Sequence, residues 1–223
     1  MAFGSIMKLT TDNKLSIEMA PFTREEVIAT FVPGFAQMSV TKYLGNASVQ
    51  TAETESEWYD AMIKDTSRVV WGIWVIENDS RTLIGSTSLM DIELEPLKQA
   101  TTGITIVDKN YWGKGIAGTC HRARTWYAFE QMAIVRLKSA VYEGNEASRR
   151  AIEKVGYTSV YTERNDIFFD GKLHHKECFE CLNPTSWAWN RWWRDDRPTR
   201  KSVEARELTR EVLKWAETHV ELA

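Results

Sequence analysis

A glycine-rich segment, GKGIAG at Gly113–Gly118, contains the residues that point most directly to chemistry. It follows Ile104–Val107, whose branched side chains favour a buried strand that ends at Asp108. A run with helical periodicity comes after it. Glycines let a ligand approach the backbone closely, and the first turn of a helix carries unpaired N–H groups and the positive end of the helix dipole. The segment therefore predicts an anion site, most naturally for phosphate.

Two familiar phosphate motifs do not describe this segment. A P-loop has the pattern GxxxxGK[ST], and no Gly-Lys-Ser or Gly-Lys-Thr ends this loop. The segment does match the GxGxxG of dinucleotide sites. However, no second βαβ half follows, and a Tyr142-Glu143-Gly144-Asn145 turn stands where an acidic residue should end the next strand. We therefore reject both motifs.

A second motif, NEASRRAIEKVGY, occupies Asn145–Tyr157. Together with Trp112–Ala117 it resembles the two signatures of the GNAT superfamily of N-acetyltransferases, [QR]xxGx[GA] for the pyrophosphate loop and N-x-x-S followed by E-K-x-G-[FY]. Trp112 stands in place of Gln or Arg, which is similar to the Rim-type branch that includes the ribosomal-protein N-terminal acetyltransferases. The resemblance covers roughly residues 10–183.

The resemblance implies direct transfer of an acetyl group from acetyl-CoA, as co-substrate, to a primary amine. Asn145 matches the residue that hydrogen-bonds the pantetheine arm, and Ser148 matches a position where a hydroxyl protonates the leaving thiolate. Both are also ordinary residues for capping a helix. The residues that the resemblance places at the acetyl-CoA site are Ile106, Val107, Trp112, Gly113, Lys114, Gly115, Ile116, Ala117, Gly118, Asn145 and Ser148.

The general base is not assigned by the sequence. Many family members carry a tyrosine just before E-K-x-G-[FY] as general acid, and this chain has Ile152 there. Asp91, Glu93 and Asp166 remain as candidate bases, with a water relay as the alternative. The missing tyrosine and base leave a second function class open, a non-catalytic acyl-CoA-binding or protein-interaction module. For an enzyme, the acceptor is a peptide N-terminus, a polyamine, an aminoglycoside or a nucleotide-sugar amine.

The fold expected is α+β, in three α/β layers. Its central sheet is mixed and mostly antiparallel, is flanked by helices, and splays between the strand at 103–107 and the strand at 135–142. The pattern predicts a capping box at Thr23 and Glu26, and a helix that Pro33-Gly34 ends. It also predicts a bulge or a close approach at Gly85 and a two-residue hairpin turn at Asp170-Gly171. Gly156 is expected to stop the helix that begins at Asn145.

Residues 1–183 are expected to form the GNAT-like domain, and residues 184–223 a Trp/Arg-rich segment followed by a helical extension. Four tryptophans fall within seven residues and three arginines lie among or just after them, namely Trp187, Trp189, Trp192, Trp193, Arg191, Arg194 and Arg197. Helical spacing then runs from Ser202 to Leu222. The apolar stripe of such a helix must be covered, either by the domain or by a second copy in a homodimer.

Composition narrows the partners and the compartment. The chain has 223 residues, with 28 Lys and Arg against 31 Asp and Glu, so we expect no nucleic-acid partner. Neither a membrane span nor a secretion signal is expected. The three cysteines cannot all pair, which predicts reduced thiols and a cytoplasmic location.

Four potential metal ligands, His174, His175, Cys178 and Cys181, fall within eight residues. We predict that they hold no metal. On a strand these spacings put neighbouring ligands on opposite faces, which cannot close a tetrahedron without a turn.

Overall fold

The computed structural model describes residues 2–45, 49–78 and 80–223. The helices and strands in chain order are β1 (Met7–Thr10), β2 (Ser16–Ala20), α1 (Arg24–Phe35), α2 (Met38–Thr41), α3 (Ala52–Met62), β3 (Val69–Glu77), β4 (Ser80–Glu93), β5 (Gln99–Ile106), α4 (Ile116–Trp126), β6 (Arg136–Tyr142), α5 (Glu146–Glu153), β7 (Thr158–Phe169), β8 (Lys172–Leu182), α6 (Ser186–Trp193), α7 (Arg200–His219) and β9 (Val220–Leu222). A 3₁₀ turn at Lys109–Tyr111 precedes α4, and a π-helical segment, Tyr127–Gln131, follows it.

The chain forms two compact units, and β4, β5 and α4 each contribute to both. The first unit contains the described residues of 1–90, together with 103–120 and 219–223. Its strands follow the order β9-β1-β2-β3-β4, and every pair in this series is antiparallel. The end of β5 lies beside β4. Val107, which directly follows β5, donates its N–H to Ile84 O at 2.9 Å.

The helix α1 begins as predicted and ends later than predicted. The side chain of Thr23 accepts from Glu26 N, and the side chain of Glu26 accepts from Thr23 N, which confirms the capping box. The prediction that Pro33-Gly34 ends the helix is wrong, because α1 continues to Phe35. A Cβ on Gly34 would lie 2.5 Å from Val107 Cβ, so the glycine lets this last turn pack directly on the end of β5.

Gly85 produces both features that its position in a strand predicts. The register between β3 and β4 shifts after Ile73, as in a β-bulge. A Cβ on Gly85 would also lie only 2.8 Å from Ile106 Cα and would overlap Thr105 O. The missing side chain therefore allows β5 to approach β4 closely just before the glycine-rich segment.

The second unit contains residues 91–102 and 121–218. Its strands follow the order β5-β6-β8-β7, in which the pair β5–β6 is parallel and the other pairs are antiparallel. The parallel ladder joins Gln99–Thr101 to residues 136–138, and β6 then continues to Tyr142 paired with β8. The predicted fold class, a mixed and mostly antiparallel sheet flanked by helices, is confirmed.

Local signals in the second unit are also confirmed. Gly156 follows α5 with φ of +100°, the left-handed conformation expected of a helix-ending glycine. Asp170 and Gly171 have φ of +51° and +77° between β7 and β8, as a type I′ hairpin turn requires.

The C-terminal residues depart from the predicted helix. It was predicted to run to Leu222, whereas α7 ends at His219 and Val220–Leu222 form β9, which pairs with β1 in the first unit. The edge of β1 carries backbone N–H and C=O groups that would otherwise be unpaired. Hydrogen bonds from this short strand to those groups stabilise it more than three further helical residues would. Within the described part of the chain, no helix is long and apolar enough to cross a membrane.

Candidate functional site

The glycine-rich corner between β5 and α4 is held in a conformation that requires glycine. Gly113 and Gly115 have φ of +73° and +81°. A Cβ built on either residue, or on Gly118, meets no heavy atom of the described residues within 4 Å. The corner therefore faces open space, and no packing contact explains why these three side chains are absent.

Backbone donors are available at this corner. Thr119 N donates to Gly115 O at 3.1 Å. Among the described residues, this is the first backbone hydrogen bond donated by an N–H of α4. The N–H groups from Gly113 to Gly118 precede it and have no backbone acceptor within that part of the chain. Free N–H groups at the positive end of a helix are suited to a pyrophosphate. The corner thus fits the phosphate site that the sequence predicts.

Side chains of the first unit anchor the corner. The indole Nε1 of Trp112 donates to Ile106 O at 2.8 Å, and Asn13 Nδ2 donates to Lys114 O at 3.3 Å. The hydroxyl of Tyr111 donates to Glu77 Oε2 at 3.0 Å. Trp112 replaces the Gln or Arg of the signature, and its hydrogen bond ties the corner to the end of β5. The substitution therefore keeps a side-chain donor at this position.

Ile106 and Val107, which the resemblance places at the acetyl-CoA site, make contacts within the protein. Ile106 O accepts from Trp112, and Val107 N donates to Ile84 O. The Val107 side chain is buried against Gly34. These polar groups therefore help to fix the corner.

Asn145 and Ser148 lie at the start of α5, and their roles differ. Asn145 is the N-cap, because its Oδ1 accepts from Ser148 N at 3.3 Å. This leaves the amide Nδ2 of Asn145 as a donor. Ser148 is half-buried, and its hydroxyl makes no hydrogen bond to any residue that the structure describes. The start of α5 thus carries both the Asn145 cap and a Ser148 hydroxyl that has no hydrogen-bond partner among the described residues.

The three carboxylates predicted as candidate bases are not suited equally to that role. Asp166 Oδ1 accepts from Lys176 Nζ at 3.1 Å, and this bond holds the pKa of Asp166 below its usual range. Glu93 accepts from Gln99 Nε2 at 2.6 Å, and Asp91 is exposed with φ of +49°. A carboxylate whose proton affinity is lowered is a weaker base. None of the three lines the cavity that contains Asn145.

That cavity has a volume of about 180 Å³ and lies at the end of β6, between α5 and the strands β7 and β8. Its walls bring together two residues that sequence reasoning did not connect with Asn145, namely Glu143 and His175. His175 Nδ1 accepts from Asn165 N at 3.1 Å, so a neutral His175 carries its proton on Nε2. The lining residues are Val141, Tyr142, Glu143, Gly144, Asn145, Glu146, Arg149, Thr162, His175 and Glu177.

The four potential metal ligands lie along the continuous strand β8, and they are His174, His175, Cys178 and Cys181. The ring of His174 stacks on Phe169 with centroids 3.7 Å apart, and Cys181 is buried. Burial raises the pKa of the Cys181 thiol to about 12. No group of three or more His, Cys, Asp or Glu among the described residues is arranged to hold a metal ion.

Comparison with known proteins agrees with this fold. The family model for the acetyltransferase (GNAT) domain matches residues 17–158. Two relatives are from Bacillus subtilis strain 168. The probable N-acetyltransferase YjcK is 27% identical over 150 residues, which cover 67% of this chain and 81% of YjcK. The putative ribosomal N-acetyltransferase YdaF is 29% identical over 106 residues, which cover 48% of this chain and 56% of YdaF.

Among solved structures, Mycobacterium smegmatis RimJ in complex with CoA-disulfide superposes with a TM-score of 0.70 at 12% sequence identity. The match covers 100% of this chain and 99% of RimJ.

The corner and the sheet around it define a protein of the acyl-CoA-dependent acyltransferase class. This chain belongs to the GNAT acetyltransferase family. It is an N-acetyltransferase that uses acetyl-CoA as its acetyl donor.

Proposed function

We propose that the acceptor of this enzyme is a primary amine of low pKa, such as a peptide α-amine. The observation that carries the proposal is the state of the predicted bases. Asp166 is bonded to Lys176 and has a lowered pKa, Glu93 is bonded to Gln99, and Asp91 is exposed. Carboxylates are weak bases compared with amines, so a site that relies on them favours an amine that releases its proton easily. The relative YdaF, described as a putative ribosomal N-acetyltransferase, supports the same choice.

The size of this preference follows from the amines themselves. A peptide α-amine has a pKa of about 8, and a lysine side chain has a pKa of about 10.4. At neutral pH the fraction of unprotonated, reactive amine is therefore about a hundredfold or more larger for the α-amine. The difference corresponds to roughly 3 kcal/mol that a strong base would otherwise have to supply.

We further propose a role for each group of candidate co-substrate residues. The N–H groups of Gly113–Gly118 bind the pyrophosphate, supported by the open space in front of them. The Nδ2 of Asn145 donates to a carbonyl of the pantetheine arm. The hydroxyl of Ser148 donates a proton to the thiolate as it leaves, supported by its lack of a partner in the described structure.

The test is a competition between two peptides that each contain one lysine, one with a free N-terminus and one with a blocked N-terminus. Mass spectrometry of the products should place the acetyl group on the α-amine. Acetylation confined to lysine would overturn the choice of acceptor, as would exclusive use of a polyamine, an aminoglycoside or a nucleotide-sugar amine from a parallel panel. Binding of CoA with no acetylation of any amine would instead favour a non-catalytic acyl-CoA-binding module.

We also propose that residues 184–223 form an extension of a domain spanning residues 1–183, and that the extension joins two copies in a homodimer. In α7, Thr209 Oγ1 donates to Val155 O at 3.1 Å, whereas Val203 and Leu208 are exposed. These exposed residues supply an apolar surface for a second copy. Replacing both by Glu should halve the mass measured by light scattering, and an unchanged mass would rule out this interface.

We propose a cytoplasmic location for the enzyme. The three cysteines are buried thiols, as expected in a reducing compartment. Fractionation of cells that express the full chain with a C-terminal epitope tag tests the location. Recovery of the tagged chain outside the cytoplasmic fraction would overturn it.

A further inference from the structure

Glu143 lies where β6 ends, two residues before the N-cap of α5. It lines the cavity of about 180 Å³ that also contains Asn145. The sequence suggests only a turn at this point, because nothing in the local pattern shows that β8 runs beside it. The pairing of β6 with β8 places Glu143 next to His175, which is 32 residues further along the chain.

The backbone of β8 holds the Glu143 carboxylate in place. Glu143 N donates to His175 O at 2.9 Å, and His175 N donates to Glu143 Oε2 at 3.3 Å. The side chain is still 55% exposed, so the carboxylate is fixed without being sealed from an incoming molecule. One oxygen therefore accepts from the protein, while the other has no protein donor within the described residues.

Glu143 differs from most carboxylates around it in its charge partners. Glu177 pairs with Arg149 at 3.1 Å, and Asp166 pairs with Lys176 at the same distance. In the ranges that the structure describes, no Lys or Arg lies within 4 Å of the Glu143 carboxylate. The imidazole Nδ1 of His174 lies 3.8 Å from Glu143 Oε2, which is beyond hydrogen-bond distance. No described Lys or Arg therefore competes with a bound ammonium for this carboxylate.

We propose that Glu143 is a catalytic residue that binds the acceptor's ammonium group and takes one proton from it. The proposal rests on the proposed function, since it assumes an amine acceptor. Transfer of one proton from nitrogen to the carboxylate leaves a neutral amine. The amine attacks the acetyl carbonyl, the C–S bond breaks, and the acetamide forms. The second nitrogen proton passes to solvent, the thiolate takes a proton from Ser148, which solvent replaces, and Glu143 returns its own proton to solvent.

Other ionisable groups face Glu143 from the elements packed around it. His174 and His175 are on β8, as is Glu177, and Glu146 and Arg149 are on the first turns of α5. Arg149 is neutralised by Glu153 and Glu177 at 3.1 Å each. Because several ionisable groups share this wall, a pH profile of the wild type alone would not identify Glu143.

The experiment compares Glu143→Gln with the control Glu146→Gln. The Gln side chain keeps the shape and the acceptor for His175 N but cannot take up a proton. Glu146 is an exposed carboxylate in the same wall, so its replacement removes the same charge. For Glu143→Gln we expect kcat to fall about 10²–10⁴-fold at neutral pH, the range of general base catalysis. For Glu146→Gln we expect a change of less than about threefold, as for an exposed charge.

A pH profile distinguishes a catalytic role from a structural one. Without the base only neutral amine reacts, so kcat/KM of Glu143→Gln should rise about tenfold per pH unit up to the pKa of the acceptor. The wild-type profile should be nearly flat across the same range. Parallel profiles, or equal losses in both variants, would overturn the role of Glu143. If the wild type binds CoA but acetylates no amine, the proposed function has failed instead. Unchanged CoA binding by Glu143→Gln serves as the control for folding.

Discussion

Replacing Gly115 by Asp or by Asn tests the phosphate corner through a difference of one charge. Both side chains tolerate positive φ better than most, so the strain at φ of +81° affects both variants alike. Both also project into space where no heavy atom of the described part of the chain lies within 4 Å of the Cβ position. A carboxylate about 5 Å from a phosphate, at an effective dielectric constant of about 20, is repelled by roughly 3 kcal/mol. We therefore expect CoA to bind to Gly115→Asp about a hundredfold more weakly than to Gly115→Asn.

Isothermal titration with CoA measures this difference, and two controls identify its origin. Pantetheine lacks the pyrophosphate, so the two variants should bind it equally. High salt should also reduce the difference for CoA, because the Debye length falls from about 8 Å at physiological ionic strength to about 3 Å at 1 M. Equal affinities of two folded variants for CoA would refute the assignment of the corner.

Three further predictions concern the second unit. Ser148→Ala should lower kcat more than it raises the KM for acetyl-CoA, because its proposed role arises only as the thiolate leaves; a pure KM effect in steady-state kinetics would contradict that role. Asn145→Asp should keep the cap and the melting temperature but raise the KM for acetyl-CoA, whereas Asn145→Ala should also lose about 1 kcal/mol of stability; equal KM values for Asn145→Asp and wild type would leave Asn145 only its cap. Gly156→Ala should lower the melting temperature by about 5–15 °C, because its Cβ would lie 2.6 Å from Ala205 O at φ of +100°; an unchanged melting temperature by calorimetry would show that α7 adjusts freely.

The features that the sequence predicts correctly depend on local chemistry. The capping box at Thr23 and Glu26 involves residues three apart, and the Asp170-Gly171 turn involves two adjacent residues with positive φ. Gly85 and Gly156 are recognisable because few other residues satisfy such positions. The positive φ of Gly113 and Gly115 is likewise a local property of the residues themselves.

The features that the sequence misses depend on which elements become neighbours. Pro33 remains inside α1 because Gly34 packs on Val107, more than seventy residues away in the chain. Val220–Leu222 become a strand because β1 offers an edge. In the sequence Glu143 is an ordinary turn residue, and the pairing of β6 with β8 places it beside His175. A search of the sequence for bases within the strands therefore overlooks a carboxylate positioned by strand pairing.

The preference for an α-amine should depend on pH in a way that separates amine chemistry from peptide recognition. With pKa values of about 8 and 10.4, the ratio of neutral α-amine to neutral lysine is about 200 at pH 7 and about 10 at pH 9.5. A carboxylate base such as Glu143 does not remove this dependence. The free energy needed to move a proton from the amine to the carboxylate is larger for lysine than for the α-amine, and the difference is set by the two amine pKa values. Mass spectrometry of a peptide with both amines should therefore show the product ratio falling about twentyfold between these pH values. A ratio that stays constant would mean that the cleft selects the α-amine by shape, and the reasoning from weak bases to a low-pKa acceptor would be wrong.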